Sequence, residues 1–161
     1  MCICYTIMNS PLGELVLTAN SAGLTGIQFG THQLQTSHST LTRNDKHPIL
    51  QQAKLELEEF FNKERERFTV PLSYNGTPFQ TAVWDQLLKI EYGLTKSYQE
   101  IAEAIENKKA VRAVGQANKA NKIPIIIPCH RVIGKNKKMV GYAGKEITKK
   151  QLLLKLEGVL K

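Results

Sequence analysis

Cys129, His130 and Arg131 follow one another in the stretch IIIPCHRVIG. A thiol beside an imidazole and a guanidinium can act as a nucleophile, because basic neighbours favour the thiolate. A cysteine next to isoleucines is otherwise most simply a small buried hydrophobe. The isoleucines and the flanking Pro124 and Pro128 predict an extended, buried segment. Strand neighbours point to opposite faces, so His130 serves Cys129 only if the chain turns there or a water relays the proton. An imidazole base also needs a group to orient it. Glu157 is the candidate, one residue before Gly158, a C-cap glycine for the last helix, TKKQLLLKLEG. A carboxylate at a helix C-terminus opposes the dipole unless a partner such as His130 or Arg131 compensates. The bland alternative is a surface glutamate.

The elements that must carry these groups divide into two halves, 1–75 and 76–161. CICYTIM, GELVLTA and LTGIQFG read as short strands of an antiparallel sheet separated by the turn sequences NSPLG and NSAG. Residues 31–47 are polar and aperiodic, and read as a loop. Pro48 opens a helix whose apolar stripe is Leu50, Ala53, Leu57 and Phe61. In the second half, Thr77 with Gln80 and Ser97 with Glu100 are capping boxes that start two helices. The first helix buries Val83, Trp84, Leu87 and Leu88, and the second Ile101, Ala102 and Ile105. AVRAVGQANKANK predicts a further short helix. It completes a helix-turn-helix, whose second helix is the one to lie on DNA. That helix bears Arg112, Gln116, Asn118 and Lys119. Its small residues Ala110, Ala113, Gly115 and Ala117 permit close approach of a backbone or phosphate.

Charge separates the same halves. Residues 1–79 hold six Lys/Arg against seven Asp/Glu, and residues 80–161 hold sixteen against seven. A basic half suggests a polyanionic partner, and a solvated lysine-rich surface explains the composition equally well. No apolar run approaches the roughly 18–20 residues of a membrane span. No secretory leader is evident, and three cysteines without disulfide spacing point to the cytoplasm. Cys2 and Cys4 share a strand face, but no histidines adjoin them at metal spacing, so neither a metal nor a cofactor is expected.

IPCHRVIG, followed by GYAG and preceded by GTPFQ, SYQEIA, AVRAVGQAN and an Asn-x-x-Pro, resembles the O6-alkylguanine-DNA alkyltransferase family. SPLGELVLTA and GLTGIQFG extend the likeness over nearly the whole chain apart from the loop at 31–47. The resemblance implies an α+β protein with an RNase-H-like N-terminal domain and a winged-helix-like C-terminal domain. It implies that Cys129 accepts an alkyl group from O6-alkylguanine, or O4-alkylthymine, in double-stranded DNA. His130 would deprotonate the thiol through a water, Glu157 would orient His130, and Asn121 would brace the turn before the cysteine. Arg112 would fill the gap left by a flipped nucleotide, and Tyr98 would crowd the phosphate and donate toward the purine. Tyr142 with Val140, Gly141, Ala143 and Gly144 would close over the base. Lys150, or its neighbour Lys149, would line the site from the last helix. The chain departs from the pattern at Glu91 and Lys122, where proline is usual, and at Lys145, where a second glycine is usual.

The chemistry of the residues agrees with that implication. A stacked alkylated base is out of reach until it is flipped. A soft thiolate suits displacement at an alkyl carbon, and a thioether product has no inexpensive reverse step. The protein should act once, as a monomer. A helix-turn-helix regulator with a sensing cysteine would explain the charge and the helices, but not His130, Tyr142 and Glu157 together. A cysteine hydrolase would need an oxyanion hole, and no glycine-rich segment adjoins Cys129. The alkyltransferase-like proteins that bind lesions without repairing them lack the cysteine.

Overall fold

The structure, a computed structural model, describes residues 3–31, 34, 41–134 and 145–160, and it divides into two compact units, Met1–Tyr74 and Asn75–Lys161. The first unit is a four-stranded sheet in the order β3-β2-β1-β4, formed by β1 (Ile3–Ser10), β2 (Gly13–Ala19), β3 (Leu24–Phe29) and β4 (Leu41–Arg43). β1 and β2 form a hairpin closed by Ser10 opposite Gly13, and Gly13 adopts a φ of +95° that favours glycine. The sheet is mixed, not purely antiparallel: β4 lies in the stretch expected to be loop and pairs parallel to β1, with Ile3 opposite Leu41. Three residues with one part-buried apolar side chain carry too little pattern to announce a strand.

The helix opened by Pro48, α1 (Pro48–Phe61), turns Leu50, Ala53, Leu57 and Phe60 inward and packs on β1 and β2. Phe60 takes the buried position expected of Phe61. The segment after α1 returns alongside β3, where Leu24 N–H donates to Pro71 O at 2.8 Å. A Cβ on Gly23 would come within 2.8 Å of that same carbonyl, so only glycine allows the approach.

The second unit is built of α2 (Pro78–Leu87), α3 (Tyr98–Ala104), α4 (Val111–Lys119) and α5 (Lys145–Leu156). Both capping boxes form: Thr77 with Gln80 starts α2, and Ser97 with Glu100 starts α3. These reciprocal bonds satisfy orphan N–H groups and fix where each helix begins. Trp84 of α2 is buried, and its indole N–H donates to Ala117 O at 2.9 Å, fastening α2 to α4. A two-residue parallel pairing joins β5 (Lys96–Ser97) to β6 (Val132–Ile133). It ties the start of α3 to the chain just beyond Cys129.

Candidate active site

Residues 123–128 are not the extended strand expected of them. They form a buried, irregular turn in which Ile127 N–H donates to Ile123 O at 2.9 Å, and Ile125 adopts a φ of +77°. That value is a genuine outlier for a β-branched residue and requires the surrounding structure to enforce it. Asn121 supplies part of that enforcement: its Nδ2 donates to Ile127 O at 2.7 Å and its Oδ1 accepts from Ile123 N–H at 3.0 Å. One side chain thereby replaces two bonds of a regular element.

The chain then turns once more. Cys129–Arg131 is a single 3₁₀ turn, with Arg131 N–H donating to Pro128 O at 2.9 Å. This removes the difficulty of strand neighbours facing apart. Cys129 is part-exposed, whereas His130 and Arg131 are buried.

His130 Nε2 lies 2.7 Å from Glu157 Oε2. A carboxylate can only accept here, so the proton sits on Nε2 and Nδ1 carries the lone pair. Nδ1 is buried and has no hydrogen-bond partner among the described residues. Burial pushes the His130 pKa down, against the pull of the Glu157 carboxylate, which favours the neutral imidazole. A buried acceptor without a protein partner is the place for an ordered water.

Glu157 is held from several sides. Arg131 donates to it from Nε at 2.9 Å and from Nη2 at 2.9 Å, and Gly93 N–H adds a bond at 3.3 Å. Arg131 Nη1 also donates to Ile90 O at 2.6 Å, and its guanidinium lies 5.8 Å from the centre of the Tyr92 ring. Tyr92 in turn donates to Leu156 O at 3.2 Å, beside the end of α5. Burial alone would raise the Glu157 pKa. The bonds from His130 and Arg131 outweigh it and bring the value down to about 2. Gly158, at φ +84°, ends the helix as expected. The charge that α5 alone would disfavour is thus compensated by both basic residues rather than by one.

Lys150 projects from α5 into the same region. It is buried, and its ammonium donates to Val132 O at 2.5 Å. Burial lowers its pKa to about 8, and the charge of Cys129 opposes that shift. Lys149 is only part-buried. Tyr98 opens α3, and burial followed by the charge of Cys129 pushes its hydroxyl up to about 12, against a hydrogen bond with the Asn118 side chain.

On α4, Arg112, Ala113, Gln116 and Lys119 are exposed and Gly115 is part-exposed, as is the N-cap residue Ala110. A Cβ on Gly115 would meet nothing within 4 Å, so the fold itself does not require glycine there. Asn118 departs from its expected place among the DNA-facing residues. It is 2% exposed and turned inward, with Nδ2 3.4 Å from Cys129 O. Its spacing from Val114 and Ala117 puts it on the inner stripe of α4, a signal present in the sequence. Sequence reasoning missed Tyr92 and the Ile90 carbonyl, and named Arg131 only as an alternative partner. Val140, Gly141, Tyr142, Ala143 and Gly144 lie outside the described residues, as does Cys2. Among the described residues no group of three or more His, Cys, Asp or Glu is placed to hold a metal ion.

Two family models cover the chain. The 6-O-methylguanine DNA methyltransferase ribonuclease-like domain matches residues 3–74, and the DNA binding domain of the same family matches residues 78–159. A methylated-DNA–protein-cysteine methyltransferase of Bacillus subtilis, called constitutive, is 45% identical, covering 96% of this chain and 95% of its own length. One from Methanosarcina acetivorans is 44% identical, covering 96% of this chain and 97% of its own. The crystal structure of Mycobacterium tuberculosis OGT in complex with DNA superposes with a TM-score of 0.85 at 41% identity, covering 98% of this chain and 92% of that one.

Proposed function

The chain belongs to the 6-O-methylguanine DNA methyltransferase family, and from that premise we propose that it repairs DNA by taking an alkyl group from O6-alkylguanine onto Cys129. The observation that carries the assignment to Cys129 is the buried, hydrogen-bonded Glu157–His130 pair beside it in the chain, with His130 Nδ1 unpartnered among the described residues. The thiol gives its proton through a water to Nδ1. The thiolate pair forms the S–C bond as the C–O6 bond breaks, and the purine leaves with the O6 electrons and takes up one proton. Glu157 holds the imidazole in the required tautomer and stabilises the imidazolium. The Lys150 ammonium favours the thiolate, and Tyr98 donates toward the purine. The thioether is stable, so each molecule reacts once.

The exposed side of α4 supports a role against duplex DNA. Arg112 fills the space of the flipped nucleotide, Gln116 and Lys119 meet the backbone, and Ala110, Ala113 and Gly115 allow close approach. Tyr142 and its neighbours close over the base. The functional division falls between 1–75 and 76–161, the second part carrying DNA binding and chemistry. Among the described residues no helix is long and apolar enough to cross a membrane. The cysteine usage, without disulfide spacing, supports action in a reducing cytoplasm, and we assign it to a monomer. The assignment is tested by intact-protein mass after incubation with O6-methylguanine duplex. One methyl is expected on the wild type, at Cys129 on peptide mapping, and none on Cys129→Ala; a methyl gained by Cys129→Ala overturns it.

A further inference from the structure

The buried amide of Asn118 has no packing reason to be polar. It sits on the inner stripe of α4 with Val114 and Ala117, where an apolar side chain would avoid the cost of burying an amide. Its hydrogen bonds go to two groups that matter for the chemistry. Nδ2 reaches the Cys129 carbonyl at 3.4 Å, and the side chain also bonds to that of Tyr98. α4 thus carries DNA-facing residues on its outer side and, at its inner side, a link between the acceptor cysteine and the tyrosine.

We propose that Asn118 is a positioning residue that fixes the Tyr98 hydroxyl relative to Cys129, so that proton delivery to the departing purine coincides with S–C bond formation. This rests on the reading of Cys129 as acceptor and Tyr98 as donor. The net change moves one proton from the thiol to the purine: the thiol proton passes to His130, Tyr98 gives its own to the purine, and His130 returns its proton through water to the Tyr98 phenolate. Asn118 touches neither substrate nor alkyl group and acts through Tyr98.

Two reactions of Cys129 separate this role from simple packing. Transfer from free O6-benzylguanine needs a proton on the leaving group. Alkylation by iodoacetamide releases iodide and needs none. In Asn118→Leu, single-turnover transfer should fall about tenfold while iodoacetamide alkylation stays within about threefold, and Tyr98→Phe should show the same split. In the double variant the two losses should not multiply, since both act at one step. Asn118→Ser, smaller and polar, provides the same readouts if the leucine does not fold. Equal loss in both reactions, multiplying losses in the double variant, or wild-type transfer in both Asn118 variants overturns the proposal. Full transfer by Tyr98→Phe overturns it through the donor role while leaving Cys129 as acceptor. Absence of a benzyl group on wild-type Cys129 would instead strike the function itself.

Discussion

Among the described residues each unit buries one glutamate at the heart of a hydrogen-bond cluster, and the two clusters do different things. Glu56 in α1 is 3% exposed and accepts from Thr69 N–H at 2.8 Å, Val70 N–H at 3.1 Å, Thr69 Oγ1 at 2.5 Å and Gln52 Nε2 at 3.0 Å. Glu157 is 6% exposed and accepts from His130, Arg131 and Gly93. Both pKa values lie below the ordinary range, burial being outweighed by hydrogen bonds in each case. Burial, saturation and a depressed pKa therefore do not separate a structural carboxylate from a working one. The partners do. Every donor to Glu56 is neutral: Gln52 stands one turn earlier on α1, and Thr69 and Val70 belong to the chain returning from it, so the cluster ends in itself. Glu157 is gripped by a cation and an imidazole, and that imidazole's second nitrogen has no hydrogen-bond partner among the described residues. The residual capacity next to Cys129 is what chemistry can draw on.

The most severe break of this comparison is the same substitution at both sites. Glu157→Gln should slow transfer to O6-methylguanine duplex and to free O6-benzylguanine alike, by about 100-fold, since it removes the group that fixes the tautomer of the base. Glu56→Gln should leave both rates near wild type and cost about 1–3 kcal/mol of stability, because an amide opposes one of its donors. Single-turnover rates and urea melts of the two variants decide it. A Glu56 variant that repaired poorly while fully folded would erase the distinction.

Acid sharpens the contrast. Glu157 titrates at about 2 in the folded chain against an ordinary 4.5. Its contribution is fully present above about pH 4.5 and is lost as pH falls toward 2, because the unfolded chain binds the proton first. The span corresponds to roughly 3 kcal/mol. At neutral pH, Glu157→Gln also leaves the buried Arg131 guanidinium uncompensated, at about 3–5 kcal/mol. The stability gap between wild type and Glu157→Gln, read from urea midpoints, should be widest near pH 6 and close steadily below pH 4.5. A gap independent of pH would mean that the Glu157–Arg131 pair is not ionised.

How much of this was legible in the sequence follows the range of the interactions. The capping boxes at Thr77 and Ser97 are three-residue devices, and both form where the pattern puts them. The stripe of α1 was legible because its period is local, with a one-position slip at Phe60. β4 was not, because a three-residue strand is defined by its partner β1, nearly forty residues away. The run before Cys129 misled for the opposite reason. Its isoleucines favour strand locally, and the Asn121 bonds with tight burial override that preference and force Ile125 to a φ of +77°. Glu157 was legible as a charge in need of a partner. That it takes two partners, and that Arg131 also reaches the Ile90 carbonyl, depends on the fold.

A smaller effect divides the chemistry from the DNA face within the second unit. Arg112 is exposed on α4, and the bonds described around Glu157 come from His130, Arg131 and Gly93. Arg112→Ala should slow duplex repair about tenfold and leave the reaction with free O6-benzylguanine unchanged, since unstacking a base costs a few kcal/mol and a free base needs none. The ratio should shrink when the lesion lies in single-stranded DNA. Equal loss on both substrates would move Arg112 from base flipping to support of the site.

The mildest test returns to the two units through their charge. The Lys/Arg excess lies in residues 80–161, and α4 presents Lys119 on its exposed side, whereas Lys63 stands exposed just after α1 in the near-neutral unit. A lysine that neutralises a phosphate releases a counterion, which contributes about 0.9 to the slope of log K against log salt. Lys119→Ala should therefore flatten the salt dependence of duplex binding by about one slope unit and weaken binding at low salt more than at high salt. Lys63→Ala should change neither. Fluorescence anisotropy with an undamaged duplex between 50 and 200 mM salt measures both, the range over which about that much counterion release is resolved. Equal slopes for the two variants would mean that the charge asymmetry between the units is incidental to binding. A flatter slope for Lys119→Ala alone would assign the polyanion contact to the outer side of α4, opposite the side on which Asn118 meets the cysteine.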